Sequence, residues 1–311
     1  MSAMLPAQAS TIAPKVDALF YTVTGVTVAV AVAIFLVLAL FAIRYRFAAP
    51  SPRDRDEGAA ARTRLEVAWT VIPLALFVAA FFWASILYVE RSKPPANATD
   101  VFIVAKQWMW TAQHHTGQRE IDELHVAVGQ PVRLVMTSQD AIHSFFVPAF
   151  RVKQDVLPGR YTELWFTATA PGRYHLFCAE YCGTDHARMG GDVVVMPPPE
   201  FQRWLAARAV PADMAARGEA LFRTYGCSGC HGANATIHAP DLAGIYGKPV
   251  PLSDGTTVLA DERYLRDSIL LPQREIAAGY PAVMPTFAGR LTDEDVFDLI
   301  AYIRNLGDPR R

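Results

Sequence analysis

The chain lacks a strong charge of either sign. Its 29 lysines and arginines face 30 acidic residues over 311 positions, a formal net charge of -1. No stretch reads as a nucleic-acid-binding patch. Cysteine is scarce: the four present fall in two tight pairs, Cys178 with Cys182 and Cys227 with Cys230. A disulfide within either pair would close only a tiny loop, which constrains an unfolded chain poorly. No set of acid, base and nucleophile for substrate chemistry is apparent, which turns attention to bound cofactors. Charge is also missing from two long apolar runs, Ala18 to Ile43 and Val67 to Val89.

What is present begins with those runs. Each exceeds the ~20 apolar residues that a spanning helix needs, and the 52% hydrophobic content is high for a soluble protein. The first run is too long for a signal-peptide core and has no basic region before it. Pro73 lies early in the second, where neighbouring helices can compensate a lost backbone bond. Trp69, Trp83 and Tyr88 suit the membrane interfaces. The loop between the runs carries Arg44, Arg46, Arg53, Arg55, Arg62 and Arg64, whereas Lys15 is the basic side chain before them. Positive-inside logic puts that loop in the cytoplasm and everything after about residue 90 outside.

Beyond Lys93-Pro94-Pro95 the pattern becomes one of short strands. Val101 to Ala105, Val132 to Thr137, Tyr161 to Thr167 and Val193 to Met196 are rich in β-branched and aromatic residues. Turn signals at Gly129-Gln130-Pro131, Leu157-Pro158-Gly159 and Pro171-Gly172 separate the elements. No sustained helical period appears before residue 199, so an all-β sandwich or barrel is expected. Pro197-Pro198-Pro199 marks a boundary. The expected division is 1–95 for the N-terminal tail and a transmembrane hairpin (spans 18–43 and 67–89), 96–198 for the β domain, 199–211 for a linker and 212–311 for a helical domain.

Two motifs carry chemistry. Cys178-Ala-Glu180-Tyr-Cys182-Gly-Thr-Asp-His186-Ala-Arg-Met189, with His143 upstream, gathers two thiols, two imidazoles and a thioether. A soft nitrogen–sulfur set of this kind favours copper over magnesium or calcium. A local disulfide or a zinc site is the alternative, although zinc has no need of Met189. Cys227-Ser-Gly-Cys230-His231 is a Cys-x-x-Cys-His motif, the signature of covalent c-type haem attachment. Read bare, it could also be a redox dithiol or half a zinc site. The βαβ pattern that accompanies cytosolic redox dithiols is absent. Asp213 to Thr224 and Asp293 to Leu306 read as helices, with Gly218 and Phe222 on one face of the first and Leu299 and Tyr302 on one face of the second.

The Cys-x-Glu-x-Cys-Gly-x-x-His-x-x-Met run, with His143, resembles the CuA motif of subunit II of haem–copper cytochrome c oxidases. The resemblance extends from the first span to about residue 205. It implies a multidomain membrane protein with a two-helix hairpin, a cupredoxin domain and, after it, an all-α class I cytochrome c domain. It implies that Cys178 and Cys182 bridge two coppers, that His143 and Met189 complete one, and that His186 and the Glu180 carbonyl complete the other. The Glu180 side chain is expected at a magnesium ion shared with subunit I; read alone, it is a solvated loop residue. Gln107-Trp108-Met109-Trp110 resembles the family's aromatic patch, in which the first Trp receives electrons. Met109 stands where the family often has Tyr, and Trp110 reads as a core aromatic. Asp140 matches a family acidic residue near the copper site, or equally serves in surface hydrogen bonding. Glu66, in Leu65-Glu66-Val67-Ala68-Trp69, fits a family glutamate at the mouth of a proton pathway, or simply ends an apolar run. In the haem domain, Pro240 of Ala239-Pro240-Asp241 resembles the proline whose carbonyl orients the haem-ligating His. Met284 of Tyr280-Pro-Ala-Val-Met284-Pro285 is the expected sixth iron ligand, or else a loop methionine. His238 reads as a loop residue.

The resemblance implies an oxidoreductase and translocase whose oxygen chemistry and proton pumping reside in subunit I. The chain would pass electrons from haem c through Trp108 and CuA to that subunit. Expected partners are subunits I and III, an external donor (a cytochrome c or a quinol-oxidising complex) and the lipid bilayer. The expected location is a bacterial inner membrane, with both metal domains on the periplasmic side. A nitric oxide reductase subunit using the same copper module is the alternative. A membrane-tethered copper or haem shuttle is a third reading, and a quinol oxidase subunit is disfavoured by the copper ligands.

Overall fold

The computed structural model describes residues 5–46, 59–208, 213–232 and 239–306, with the side chains of 59–61 left aside. Arg53, Arg55 and His238, and residues 209–211 of the expected linker, lie outside these residues. The chain forms two compact units, 11–93 and 1–10 with 94–311.

The first unit is a pair of helices, α1 (Ala13–Arg44) and α2 (Ala59–Arg91). At ~1.5 Å per residue, each exceeds the ~30 Å of a bilayer's hydrocarbon core. Their large apolar side chains point outward all round, as with Phe35 at 72% and Phe77 at 75% exposure. A helix that is apolar on every side belongs in lipid or against other spans, and the protein is accordingly a membrane protein. Pro14 starts α1, where its missing N–H costs nothing, and Pro73 lies inside α2. Lys15 pairs with Glu90, tying the start of α1 to the end of α2.

The second unit opens with a β-sandwich. Its strands are β1 (Thr99–Lys106), β2 (Met109–His114), β3 (Arg119–Ile121), β4 (Glu123–Ala127), β5 (Pro131–Ser138), β6 (His143–Val147), β7 (Val152–Val156), β8 (Thr162–Thr167), β9 (Gly172–Cys178) and β10 (Gly190–Met196). One sheet runs β3-β2-β1-β5-β8 and the other β4-β10-β9-β6-β7. Pairs β1–β5 and β4–β10 are parallel, and the rest are antiparallel. This is the expected all-β domain. Residues before α1 belong to it: Ser10 bridges Ala168, and the Ala9 N–H donates to the Ala149 carbonyl at 2.9 Å. The expected N-terminal tail is therefore partly strand-like edge of the β domain. A chain that touches this domain before its first span and rejoins it after its second is consistent with an even number of crossings.

The stretch expected as a linker begins instead as a helix, α3 (Pro198–Ala207). Proline suits the first helical turn, so the Pro197-Pro198-Pro199 boundary starts a helix rather than excluding one. Its apolar residues Phe201 and Trp204 lie three apart and pack on the β domain, with Trp204 stacked on His125 at 4.4 Å.

Beneath α3 lies a buried ion cluster. His114 donates to Glu120 at 2.8 Å, and His125 donates to the same carboxylate through both ring and backbone N–H groups. Burial alone would raise the Glu120 pKa, but these hydrogen bonds outweigh it and hold it at about 2. A carboxyl depressed on folding stabilises the fold above its unfolded pKa and loses that contribution as pH falls through its folded value. The β domain should thus lose on the order of 3 kcal/mol between about pH 4.5 and pH 2 from this group. Melts across that window should show the slope, and Glu120→Gln should remove it.

The last part of the unit is helical: α4 (Met214–Thr224), α5 (Ser228–His231), α6 (Glu262–Leu270) and α7 (Asp293–Asn305), with a small ribbon of β11 (Pro249–Pro251) and β12 (Thr257–Leu259). Asp213 and Asp261 cap α4 and α6, and Thr292 with Asp295 forms a capping box on α7. Helices α4 and α7 cross at Gly218, where a Cβ would meet the Asp298 carbonyl oxygen at 2.0 Å. Gly218→Ala should therefore cost about 1–3 kcal/mol of domain stability by overpacking, read as a lower Tm.

Candidate metal centres

His143 is the first residue of β6, and Cys178 is the last of β9. These strands are neighbours, with Phe145 opposite Cys178, so the two side chains reach the same end of the sandwich. The loop 179–189 returns to β10. It is closed at its base by Cys178 N–H to the Met189 carbonyl at 3.1 Å and pinned by Ala179 N–H to the Ser144 carbonyl at 3.0 Å. The Cys178 and Cys182 sulfurs lie 3.8 Å apart, and both are free thiols. His143 Nδ1 is 3.9 Å from Cys178 Sγ, and His186 Nδ1 is 3.5 Å from Cys182 Sγ. Met189 Sδ lies 3.7 Å from Cys182 Sγ, and the Glu180 carbonyl 3.3 Å from Cys178 Sγ. His143, Cys178, Cys182 and Met189 are buried.

The donor chemistry fits a dinuclear copper centre. Burial pushes the Cys178 thiol up, but hydrogen bonding to His143 and to backbone groups more than offsets it, to about 6. Burial and the Cys178 sulfur push Cys182 up to about 12. Two sulfurs 3.8 Å apart resist carrying two negative charges without a cation beside them. Zinc closes with four donors, whereas this pocket offers more and includes a thioether, which suits copper.

Asp140 sets the tautomer of His143. Its Oδ1 accepts from His143 Nε2 at 2.8 Å, which leaves the Nδ1 lone pair facing the sulfurs. The same carboxylate accepts from the Gln107 N–H at 2.7 Å, while Gln107 Nε2 donates to the Cys182 carbonyl at 2.6 Å. Hydrogen-bonded partners of metal-ligating histidines typically matter ~10–100-fold in metal affinity. Asp140→Asn should lower copper affinity by roughly that factor while the haem spectrum stays unchanged, as a copper titration would read. The sequence marked Asp140 without fixing its partner.

Trp108 lies beside the copper loop. At Gly183, where φ is +121°, a Cβ would come within 3.3 Å of the Trp108 ring and 2.9 Å of Gln107 Nε2. Glycine there permits both the turn and the close approach. Trp110 is buried, as expected of a core aromatic, and its ring also lies edge-on to His143 at 6.0 Å and to Phe145 at 5.4 Å. The Glu180 side chain is exposed. It belongs to neither of the two groups of converging His, Cys, Asp and Glu donors among the described residues, so the expected magnesium site gains no support from them. The second such group, Glu120 with Glu123 and His125, is held by its own partners, Glu123 by Arg173 at 2.7 Å. Glu66 lies on α2 beside Arg62 at 3.4 Å.

In the helical part, Cys227 caps the single turn α5, which ends at His231. His231 Nδ1 donates to the Pro240 carbonyl at 2.9 Å, which turns Nε2 the other way. Cys227, Cys230, His231, Pro240 and Met284 all line one open, mostly apolar cavity, walled by Phe222, Leu299 and Ile303. Gln273 Nε2 donates to the Ala282 carbonyl at 3.3 Å, tying the Met284 loop to the segment after α6. Thiols, a tautomer-fixed imidazole and a thioether around an apolar cavity fit a covalently held haem.

Comparison with known proteins agrees. A family profile described as the periplasmic domain of cytochrome c oxidase subunit II matches residues 80–196, and one described as cytochrome c matches 215–307. The chain thus carries a cytochrome c oxidase subunit II periplasmic domain followed by a cytochrome c domain. A subunit 2 from Alkalihalophilus pseudofirmus is 28% identical over 78% of this chain and 73% of its own length. Cytochrome c oxidase subunit 2 of Cereibacter sphaeroides is 30% identical over 45% of this chain and 59% of its own length. That of Thermostichus vulcanus is 40% identical over 37% of this chain and 34% of its own length. The crystal structure of the periplasmic domain of subunit II of cytochrome oxidase of Bradyrhizobium japonicum is 30% identical, covers 37% of this chain and 96% of that one, and has a TM-score of 0.36. Copper and haem c are the cofactors that the two matched subunit II and cytochrome c domains imply.

Proposed function

We propose that this subunit II is the electron-transfer subunit of a haem–copper oxidase, passing electrons from haem c through a CuA centre to a subunit I that reduces oxygen. The observation that carries the reading is the presence of both donor sets on one compact unit: two sulfurs 3.8 Å apart between two imidazoles, and a Cys-x-x-Cys-His turn whose histidine is fixed by Pro240 at 2.9 Å. When bound, the copper pair and the haem supply one-electron redox chemistry.

The chain's own residues hold and insulate these groups. Cys178, Cys182, His143, His186, Met189 and the Glu180 carbonyl would hold the coppers. Asp140 and Gln107 restrain that geometry, and burial of the ligands excludes water. Trp108, against the copper loop, is the residue assigned to receive electrons. Cys227 and Cys230 would anchor the haem, with His231 and Met284 holding its iron. Glu66 is assigned to the mouth of a proton path shared with subunit I. Partners are subunits I and III and an external one-electron donor, in a bacterial inner membrane with the metal domains on the periplasmic side.

The test is purification from membranes without stripping partners, followed by reduction and mixing with oxygen. The haem should co-purify with a haem–copper subunit and reoxidise on the turnover timescale. A complex that reoxidises the haem with nitric oxide but not with oxygen would overturn the oxidase assignment.

A further inference from the structure

The copper and haem domains meet along one face of the first sheet. Strand β1 is buried on both faces: Val101, Ile103 and Ala105 on one, Phe102 and Val104 on the other. Phe102 and Val104 join Val135, Met214 of α4 and Phe297 of α7 in one buried cluster. The Phe297 ring lies 4.6 Å from Phe102 and is stacked on Tyr161 at 5.0 Å.

Charges flank this apolar strip, and each cluster draws on both domains. Asp100 of β1 accepts from Arg133 at 2.8 Å and from Arg304 of α7 at 2.8 Å. Arg133 of β5 also donates to Glu262 of α6 at 2.8 Å. Asp298, 2% exposed, accepts from Arg217 at 2.7 Å and from Gln113 of β2 at 2.9 Å. Arg266 donates to the Gly159 carbonyl at 2.9 Å and lies over the Tyr161 ring. Separating the domains would strip cross-domain partners from Asp100, Arg133, Glu262 and Asp298, and buried charges tolerate that poorly. Domain contacts are expected to be mobile unless large and apolar; this one is apolar at its centre and carries cross-domain ion pairs at its rim.

Two further observations agree. The haem cavity is lined by residues of the haem domain alone, and none of those that join the docked cluster or its ion pairs is among them. The tether is short, because α3 ends at Ala207 on the copper domain, where Gln118 donates to the Leu205 carbonyl at 3.1 Å. The residues 208–213 before α4 reach at most ~20 Å when extended.

We propose that the haem domain works from this one docked position, so that transfer between haem and copper is not gated by domain motion. The proposal rests on the reading that electrons pass between these centres. The experiment uses the full chain with both cofactors loaded: the haem is photoreduced and its reoxidation by copper is followed as viscosity is raised. The internal rate should change by less than about twofold over a roughly tenfold rise in viscosity, since no conformational step limits it. Insertion of about ten Gly and Ser residues between Arg208 and Asp213 should leave it equally unchanged. Arg304→Glu should slow transfer and make it viscosity-dependent. A wild-type rate that falls in proportion to viscosity, or that responds to the insertion, overturns the docked mechanism. No internal transfer with both centres spectroscopically intact would instead overturn the electron-transfer reading beneath it.

Discussion

Cys182→Ser should abolish the mixed-valence copper signal and leave the haem bands untouched. Cys182 Sγ lies at the centre of the donor set, 3.8 Å from Cys178 Sγ, 3.5 Å from His186 Nδ1 and 3.7 Å from Met189 Sδ. One remaining thiolate cannot bridge two coppers in the same way. The seven-line hyperfine pattern of an electron shared by two spin-3/2 nuclei should give way to a four-line mononuclear signal or to no copper. Internal transfer from the haem should fall by well over the ~10–100-fold that loss of an outer hydrogen bond costs. The loop is closed by backbone bonds from Cys178 to Met189 and from Ala179 to Ser144, so serine should not unfold it. Circular dichroism of the variant separates lost metal from lost fold.

Met284→Ala should convert a low-spin haem to a high-spin one that binds carbon monoxide. Cys227, Cys230 and His231 are left intact, so the haem stays covalently attached, and denaturing gels should still stain for it. Met/His ligation raises the haem potential. Its loss should lower the midpoint by on the order of 0.1–0.3 V, within the ~0.8 V that axial ligands span. Electrons would then leave the haem with more driving force but enter it from a donor with less. Unchanged spectra in the variant would mean that Met284 is a loop methionine packed against the domain core.

Both centres were legible because their donors are local. The copper loop supplies Cys178, Cys182, His186 and Met189 from one short run, and the haem turn supplies Cys227, Cys230 and His231 from another. His143 lies far from both runs in sequence, and its place beside Cys178 depends on the pairing of β6 with β9. Elements that bury polar groups were the ones missed. Strand β2 buries Gln113 and His114, whose partners Asp298 and Glu120 come from other elements. Helix α6 buries Glu262, Arg266 and Asp267, so its inner face looks like an outer one in sequence. Helix α3 was hidden by prolines that open helices as readily as they end them. One available signal went unused. Val101 to Ala105 is apolar without alternation, the mark of a strand covered on both faces, and the haem domain covers the second face.

Whether one chain holds both a dinuclear copper centre and a c-type haem is tested most directly by electron paramagnetic resonance of the purified full chain, with metal analysis of the same sample. A seven-line copper pattern is expected beside a low-spin haem signal, with roughly two coppers to each iron. A four-line copper signal, or zinc in place of copper, would contradict it.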